Sequence, residues 1–276
     1  MQQFKYSKVL TIAGSDSGGG AGIQADIKTI SALGCYGSTA ITAITVQNTI
    51  GVKSIHDVPI EIVRDQILAV MDDIKPDAIK IGMIHTPELA SMIYSTLKKY
   101  SEIPIILDPV MVATSGDKLI KDETIELLKT KLFHLANLVT PNLDEAEILT
   151  KFKIQTTTDM IDAAIAILET GCGAVLIKGG HLRGNKLFDV YFDKNNHHIF
   201  ESERIETNNV HGTGCSLSSA IASFIALGHQ LPGAIQNARN YIHSAIENGK
   251  DVKTGEGNGP LNHFFNPQKL IKNELV

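Results

Sequence analysis

Val9-Leu-Thr-Ile-Ala13 runs directly into Gly14-Ser-Asp-Ser-Gly-Gly-Gly-Ala-Gly22, and beyond it Ile23, Ile27, Ile30 and Leu33 recur at three- and four-residue spacing. A short β-branched run, a glycine-rich turn and a helical period predict a buried strand, a loop and a helix as the opening unit. The unit repeats. Ser38–Val46 is a second strand ending at Gln47-Asn48, followed by a helix over Ile60–Ile74, a strand over Ala78–Ile81, a helix over Pro87–Lys99 and a strand over Ile103–Leu107. Asp122–Leu132 (helix), Leu138–Val139 (strand), Asp144–Leu149 and Asp159–Glu169 (helices) and Ala174–Ile177 (strand) continue the series.

Strands that are apolar throughout and alternate with helices imply a mainly parallel α/β sheet covered by helices on both faces. Leu187–Phe192 and His198–Glu201 read as a small antiparallel edge hairpin around Asp193-Lys-Asn-Asn196. Cys215–Leu227 and Ala234–Ile246 close the fold as helices. No linker, repeat or low-complexity tract divides residues 1–276, so a single domain is expected.

The composition narrows the function. Hydrophobic residues make up 43% of the 276, ample for a core, and a net charge of −5 without a basic run argues against nucleic acid as a partner. Apolar runs fall short of the roughly 18 residues of a membrane span. The first residues, Met1 to Ser7, lack a signal-peptide core. Three cysteines, Cys35, Cys172 and Cys215, give neither a disulfide framework nor a metal motif and suit a reducing compartment, so a cytoplasmic protein is expected.

In a parallel sheet the ligand lies beyond the carboxyl ends of the strands. Gly14, Gln47, Met83, Asp108, Asn142 and Lys178 all follow strand ends, so one rim carries the candidate chemistry. Two glycine loops compete for phosphate. Gly20-Ala-Gly-Ile-Gln-Ala25 satisfies a loose dinucleotide pattern, but Gln47 stands where a ribose-binding acid is expected, which weakens the case for a hydride-transfer enzyme or an NAD sensor. GxxxxGK[ST] is absent. The second loop, His211-Gly-Thr-Gly-Cys215, opens a strongly patterned helix whose free N–H groups and dipole favour an anion. Gly212 and Gly214 serve equally well as simple turn formers on local pattern alone.

Phosphoryl transfer requires positive charge, donors, a metal near carboxylates and an aligned hydroxyl. Lys178, with Gly212, Thr213 and Gly214, can meet a nucleotide phosphate, with Asn142 on the same side. Asp108 and Glu145 could hold Mg²⁺, in part through water. Each has a plainer reading: Lys178 a solvated strand end, Glu145 a first-turn helix acid, Asp108 a turn former before Pro109.

Taken in order, Thr11 to Thr29, Val46-Gln-Asn-Thr49, Lys80-Ile-Gly-Met83, Leu107-Asp-Pro-Val-Met111, Thr140-Pro-Asn-Leu-Asp-Glu-Ala146, Ile177-Lys-Gly-Gly-His181, His211-Gly-Thr-Gly-Cys215 and Gly257-Asn-Gly-Pro260 resemble one family. The chain resembles the bacterial hydroxymethylpyrimidine/phosphomethylpyrimidine kinases of the ribokinase-like superfamily over about residues 8–263. The resemblance implies ATP-dependent phosphorylation of 4-amino-5-hydroxymethyl-2-methylpyrimidine, then of its monophosphate, in thiamine biosynthesis. It implies that Gln47 pairs with the aminopyrimidine edge, helped by Gly14 and Asp26, with Met83 and Val110 near the ring. A primary amide suits that edge because it both donates and accepts.

Cys215 stands where most sugar kinases of the superfamily carry Asp. A helix N-terminus and nearby positive charge are expected to lower the thiol so that it can take the hydroxymethyl proton. Some pyridoxal kinases of the superfamily carry a second cysteine where Ala113 follows Val112 here, which tilts the reading away from pyridoxal. Pyridoxal kinase and a noncatalytic nucleotide-binding regulator are the competing readings. The resemblance also implies a homodimer, with the edge hairpin as a candidate contact.

Overall fold

The computed structural model describes residues 3–112, 120–180 and 185–274; His181 and Ala113 lie outside them. The chain begins with β1 (Phe4–Tyr6), β2 (Lys8–Asp16), α1 (Gly22–Ala32), β3 (Tyr36–Gln47), β4 (Val52–Asp57) and α2 (Ile60–Ala69). It continues through β5 (Ala78–Ile81), α3 (Pro87–Leu97), β6 (Ile105–Leu107), α4 (Asp122–Leu127), β7 (Leu138–Val139), α5 (Leu143–Thr150) and α6 (Thr157–Leu168). It ends with β8 (Ala174–Lys178), β9 (Lys186–Asp193), β10 (His197–Glu203), α7 (Thr213–Ala226), α8 (Leu231–Glu247) and β11 (Lys272–Glu274). Helices α2 and α4 run on into wide π turns at Val70–Ile74 and Leu128–Leu132, so the longer helices read from periodicity are continuous but not uniform.

Nine strands form one sheet in the order β10-β9-β8-β7-β6-β5-β2-β3-β4. The six from β8 to β3 pair in parallel, while β4 and the β9–β10 hairpin are antiparallel additions at the two edges. Period-two alternation assigns the faces. Leu10, Ile12, Ile79, Ile81, Leu107 and Val139 pack against α2 to α6. Val9, Ala78, Ile106, Leu138 and Leu176 pack against α1, α7 and α8. The chain leaves β2 for β3 on one side and returns to β5 on the other, so a topological switch point falls beside the carboxyl end of β2.

Three strands fall outside the apolar pattern. Val52-Lys-Ser-Ile-His-Asp57 is polar and exposed, yet it forms β4, because an edge strand draws on β3 for its hydrogen bonds rather than on burial. Phe4–Tyr6 pairs with Lys272–Glu274, an association set by the distant return of the chain.

A charge also enters the core from a central strand. Lys80, between Ile79 and Ile81, points into the α1/α7 layer and is 0% exposed. Its Nζ lies 3.0 and 2.9 Å from the Asp26 carboxylate oxygens, which also accept from Thr11 Oγ1 (2.6 Å) and Ser219 Oγ (2.7 Å). Burial opposes the lysine charge, but Asp26 and nearby acidic groups outweigh it and hold Lys80 above its ordinary value. Removing one partner of such a pair strands the other charge. Asp26→Ala is therefore expected to destabilise the fold by about 3–5 kcal/mol in urea unfolding, and Asp26→Leu/Lys80→Met to recover part of that loss.

Candidate active site

The two glycine loops meet face to face, and their chemistry differs. In the first, Asp16 fills the nest of backbone amides: Oδ1 accepts from Gly18 N–H (2.8 Å), and Oδ2 from Gly20 N–H (3.0 Å) and Ala21 N–H (2.8 Å). His211 Nε2 donates to Oδ2 as well, at 3.0 Å. Burial alone would raise this carboxyl, but the His211 bond and the backbone donors outweigh it and hold Asp16 below its usual range. A carboxylate already sits where a phosphate would, so this loop is closed to one.

The second loop stays available. Gly212 adopts φ 80°, and a Cβ there would lie 1.8 Å from Gly20 O, so only glycine lets the two loops touch. Thr213 N–H and Oγ1 both donate to Val210 O, and Ser216 N–H donates to Gly212 O. The N–H groups of Gly214 and Cys215 lie between them in the first turn of α7, where a helix supplies no acceptor of its own. A Cβ on Gly214 would stand 3.0 Å from Lys178 Nζ and 3.6 Å from Asp108 Oδ2, so the helix mouth abuts the ends of β6 and β8.

Lys178 Nζ donates to Asp108 Oδ1 at 2.8 Å, and Thr140 Oγ1 donates to the same oxygen at 3.1 Å. Burial disfavours the lysine charge, yet Asp108 and Glu145 outweigh it and hold Lys178 above its ordinary value. Glu145 caps α5 reciprocally with Asn142: its Oε2 accepts from Asn142 N–H (2.8 Å) while Asn142 Oδ1 accepts from Glu145 N–H (2.9 Å). Glu145 is thus a first-turn capping acid and a neighbour of Lys178 at once. Burial, reinforced by Asp108 and only partly offset by Lys178, pushes its carboxyl up to about 7.

Gly14, Gln47, Met83, Asp108, Val110, Asn142, Glu145, Lys178, Gly212, Thr213, Gly214 and Cys215 all border a single open cleft of about 1130 Å³. At its β2–β3 end Met83 lies so close to Gly14 that a Cβ on the glycine would stand 2.7 Å from the Met83 methyl. Among the described residues no group of three or more His, Cys, Asp or Glu is placed to hold a metal ion, and no helix is long and apolar enough to cross a membrane.

Two expectations need correction. Asp26 does not border the cleft: it lies 0% exposed beneath it, with Lys80, Thr11 and Ser219 on its oxygens, because its turn of α1 faces the sheet. Cys215 is not an activated thiol. It retains some solvent contact, but burial at the cleft floor dominates, with Lys80 opposing and Asp26 and Asp108 adding to it, and the thiol is pushed up to about 11. Burial, reinforced by the two carboxylates, outweighs the positive environment that sequence position suggested. Cys35 and Cys172 are buried and pushed up to about 12 and about 11.

Sequence reasoning passed over His211, Lys80 and the Asp189–Arg239 pair. Arg239 Nε donates to Asp189 Oδ2 (2.7 Å), and Asp189 Oδ1 accepts from Gly179 N–H (3.0 Å), which pins the turn after Lys178. Lys80 had a legible signal, a charge inside an apolar strand. The carboxylate partners of His211 and Arg239 lie 195 and 50 residues away, and nothing local marks them.

The elevated thiol gives a measurable expectation. Alkylation of Cys215 by iodoacetamide, followed by peptide mass spectrometry, should accelerate about tenfold per pH unit from pH 7 to 10. A plateau below pH 9 would mean the thiol ionises far more readily than its surroundings allow.

The phosphomethylpyrimidine kinase family model matches residues 16–262. A hydroxymethylpyrimidine/phosphomethylpyrimidine kinase from Rhizobium meliloti is 48% identical over 256 residues, 92% of this chain and 96% of that one. The crystal structure of phosphomethylpyrimidine kinase from Clostridium difficile superposes with a TM-score of 0.77 at 46% identity, covering 87% of this chain and 99% of that one. An ADP complex of Bacillus subtilis pyridoxal kinase superposes with a TM-score of 0.87 at 36% identity, covering 94% and 98%. With the ribokinase-like sheet, the cleft at its carboxyl rim and these likenesses together, the chain belongs to the phosphomethylpyrimidine kinase family.

Proposed function

We propose that the chain transfers the γ-phosphoryl group of ATP to the hydroxymethyl oxygen of 4-amino-5-hydroxymethyl-2-methylpyrimidine, and then phosphorylates the monophosphate, in thiamine biosynthesis. One observation carries the reading: Gln47, Met83, Lys178, Asp108 and the mouth of α7 all line a single cleft. The alcohol oxygen forms a bond to the γ-phosphorus as the bridging P–O bond to the β-phosphate breaks, ADP leaves with the electron pair, and the hydroxyl proton passes late to an oxygen of the transferred phosphoryl group and from there to solvent. The Gly214 and Cys215 N–H groups and Lys178 face the charge carried by the moving phosphoryl oxygens.

A Cys215 thiol at about 11 is ionised in roughly one molecule in ten thousand at pH 7, so its part is to align the alcohol rather than to deprotonate it. A loose phosphoryl transition state asks little of a base. Asp108 and Glu145, each 2% exposed and both bordering the cleft, fit a magnesium ion that also draws on water and phosphate oxygens. The ion would offset the charge between the phosphates and these carboxylates.

The same reading makes the chain one domain over residues 1–276, working in the cytoplasm, where ATP and reduced thiols coexist, and as a homodimer. Purified protein with ATP, Mg²⁺ and the pyrimidine alcohol should release ADP, and no turnover above blank over reasonable pH would refute the reading. Lys178→Ala should slow turnover roughly a hundredfold, about 3 kcal/mol. Cys215→Ala should lower kcat strongly while the KM for ATP changes little. The likeness to a pyridoxal kinase keeps pyridoxal as the rival alcohol, and the ratio of kcat/KM for the two decides between them.

A further inference from the structure

His211 sits between Asp16 and Gln47, and hydrogen bookkeeping there has only one solution. Its Nε2 lies 3.0 Å from Asp16 Oδ2 and 3.3 Å from one terminal atom of the Gln47 amide. An ionised carboxylate only accepts, so the imidazole proton is on Nε2. A ring N–H aimed at Asp16 cannot also accept from an amide N–H₂, so the amide atom facing His211 is the oxygen. The other end of the amide agrees. Its second terminal atom lies 3.0 Å from Thr45 Oγ1, whose hydroxyl also lies 2.9 Å from Ser15 O. Thr45 has one hydrogen, and Ser15 O can only accept it, so the amide atom facing Thr45 is the nitrogen.

The surroundings hold His211 in place. Its backbone N–H donates to Gly259 O at 3.0 Å, and the ring packs so tightly on Gly20 that a Cβ there would stand 2.4 Å from Cδ2. The Gln47 amide keeps one lone pair and one hydrogen for the cleft, in a fixed order. A 4-aminopyrimidine offers an acceptor at N3 beside a donor at N4. Its 4-oxo counterpart offers a donor at N3 beside an acceptor at O4, the same positions with their roles exchanged. An amide free to turn over reads both equally well. A fixed amide reads one.

We propose that His211, anchored by Asp16, is a specificity-determining residue that locks the Gln47 amide in one orientation, so that the site selects a 4-aminopyrimidine alcohol over its 4-oxo counterpart. This rests on Gln47 reading the ring edge, and the experiment separates the two claims. It compares kcat/KM for the 4-amino and 4-oxo 5-hydroxymethylpyrimidines in wild type, His211→Ala, Gly20→Ala and Gln47→Ala. Wild type should favour the amino compound by about a hundredfold or more. His211→Ala should reduce that ratio at least about tenfold, raising the KM for the amino compound with the KM for ATP unchanged. Gly20→Ala, which displaces the ring without deleting it, should move the ratio in the same direction and serves where His211→Ala does not fold.

A merely structural role for His211 would slow both substrates together and leave the ratio unmoved, which overturns the proposal. If Gln47→Ala collapses the ratio while the His211 and Gly20 variants keep it, the lock by His211 is wrong and Thr45 alone orders the amide. If Gln47→Ala also keeps it, Gln47 does not read the ring.

Discussion

The Asp16 carboxylate is the tie on which the site's shape depends. It takes three backbone donors from the loop after β2 and a fourth from His211, close to two hundred residues later, and so fastens the first glycine loop to the second. Once joined, the loops leave no room for a side chain at Gly212, whose left-handed backbone sets the start of α7. The mouth of that helix then lands against Lys178 and Asp108 at the ends of β8 and β6. One ion-accepting nest is used up internally so that the other is aimed correctly.

Below the rim, the fold spends a buried ion pair to hold the same helices. Lys80 of β5, Asp26 of α1 and Ser219 of α7 are fully enclosed, and both Lys80 and Ser219 donate to the Asp26 carboxylate. Such a pair contributes little net stability compared with apolar packing, but it penalises any register in which its members separate. It also lies close enough to Cys215 for Lys80 to oppose, and Asp26 to add to, the rise of the thiol. The scaffold that positions α7 is therefore part of the electrostatics of its first turn. Asp189 does comparable work at the far side, where it joins Arg239 of α8 to the turn that follows Lys178.

Much of this was legible residue by residue. The strands from Val9 to Ala13 and from Ala78 to Ile81 are buried on both faces, so their apolar runs report the parallel sheet directly. The rim residues follow because side chains at strand ends share one edge, which is why Gln47, Asp108 and Lys178 border one cleft. Asp26 misled because its place in a motif says nothing about which face of α1 it occupies, and β4 went unseen because edge strands carry no burial signal.

The sequence by itself determined the alternation of elements, the layer architecture, the family and the rim on which chemistry gathers, since these depend on periodicity and on local backbone demands such as those of glycine. Tertiary structure alone decided which glycine loop is free for an anion, that burial pushes the Cys215 thiol up, and that the Gln47 amide meets His211. Those outcomes depend on charges and hydrogen-bond partners brought together from distant parts of the chain. Burial and the charges of distant neighbours can together reverse what a residue's own position suggests, and no local pattern of side chains encodes them.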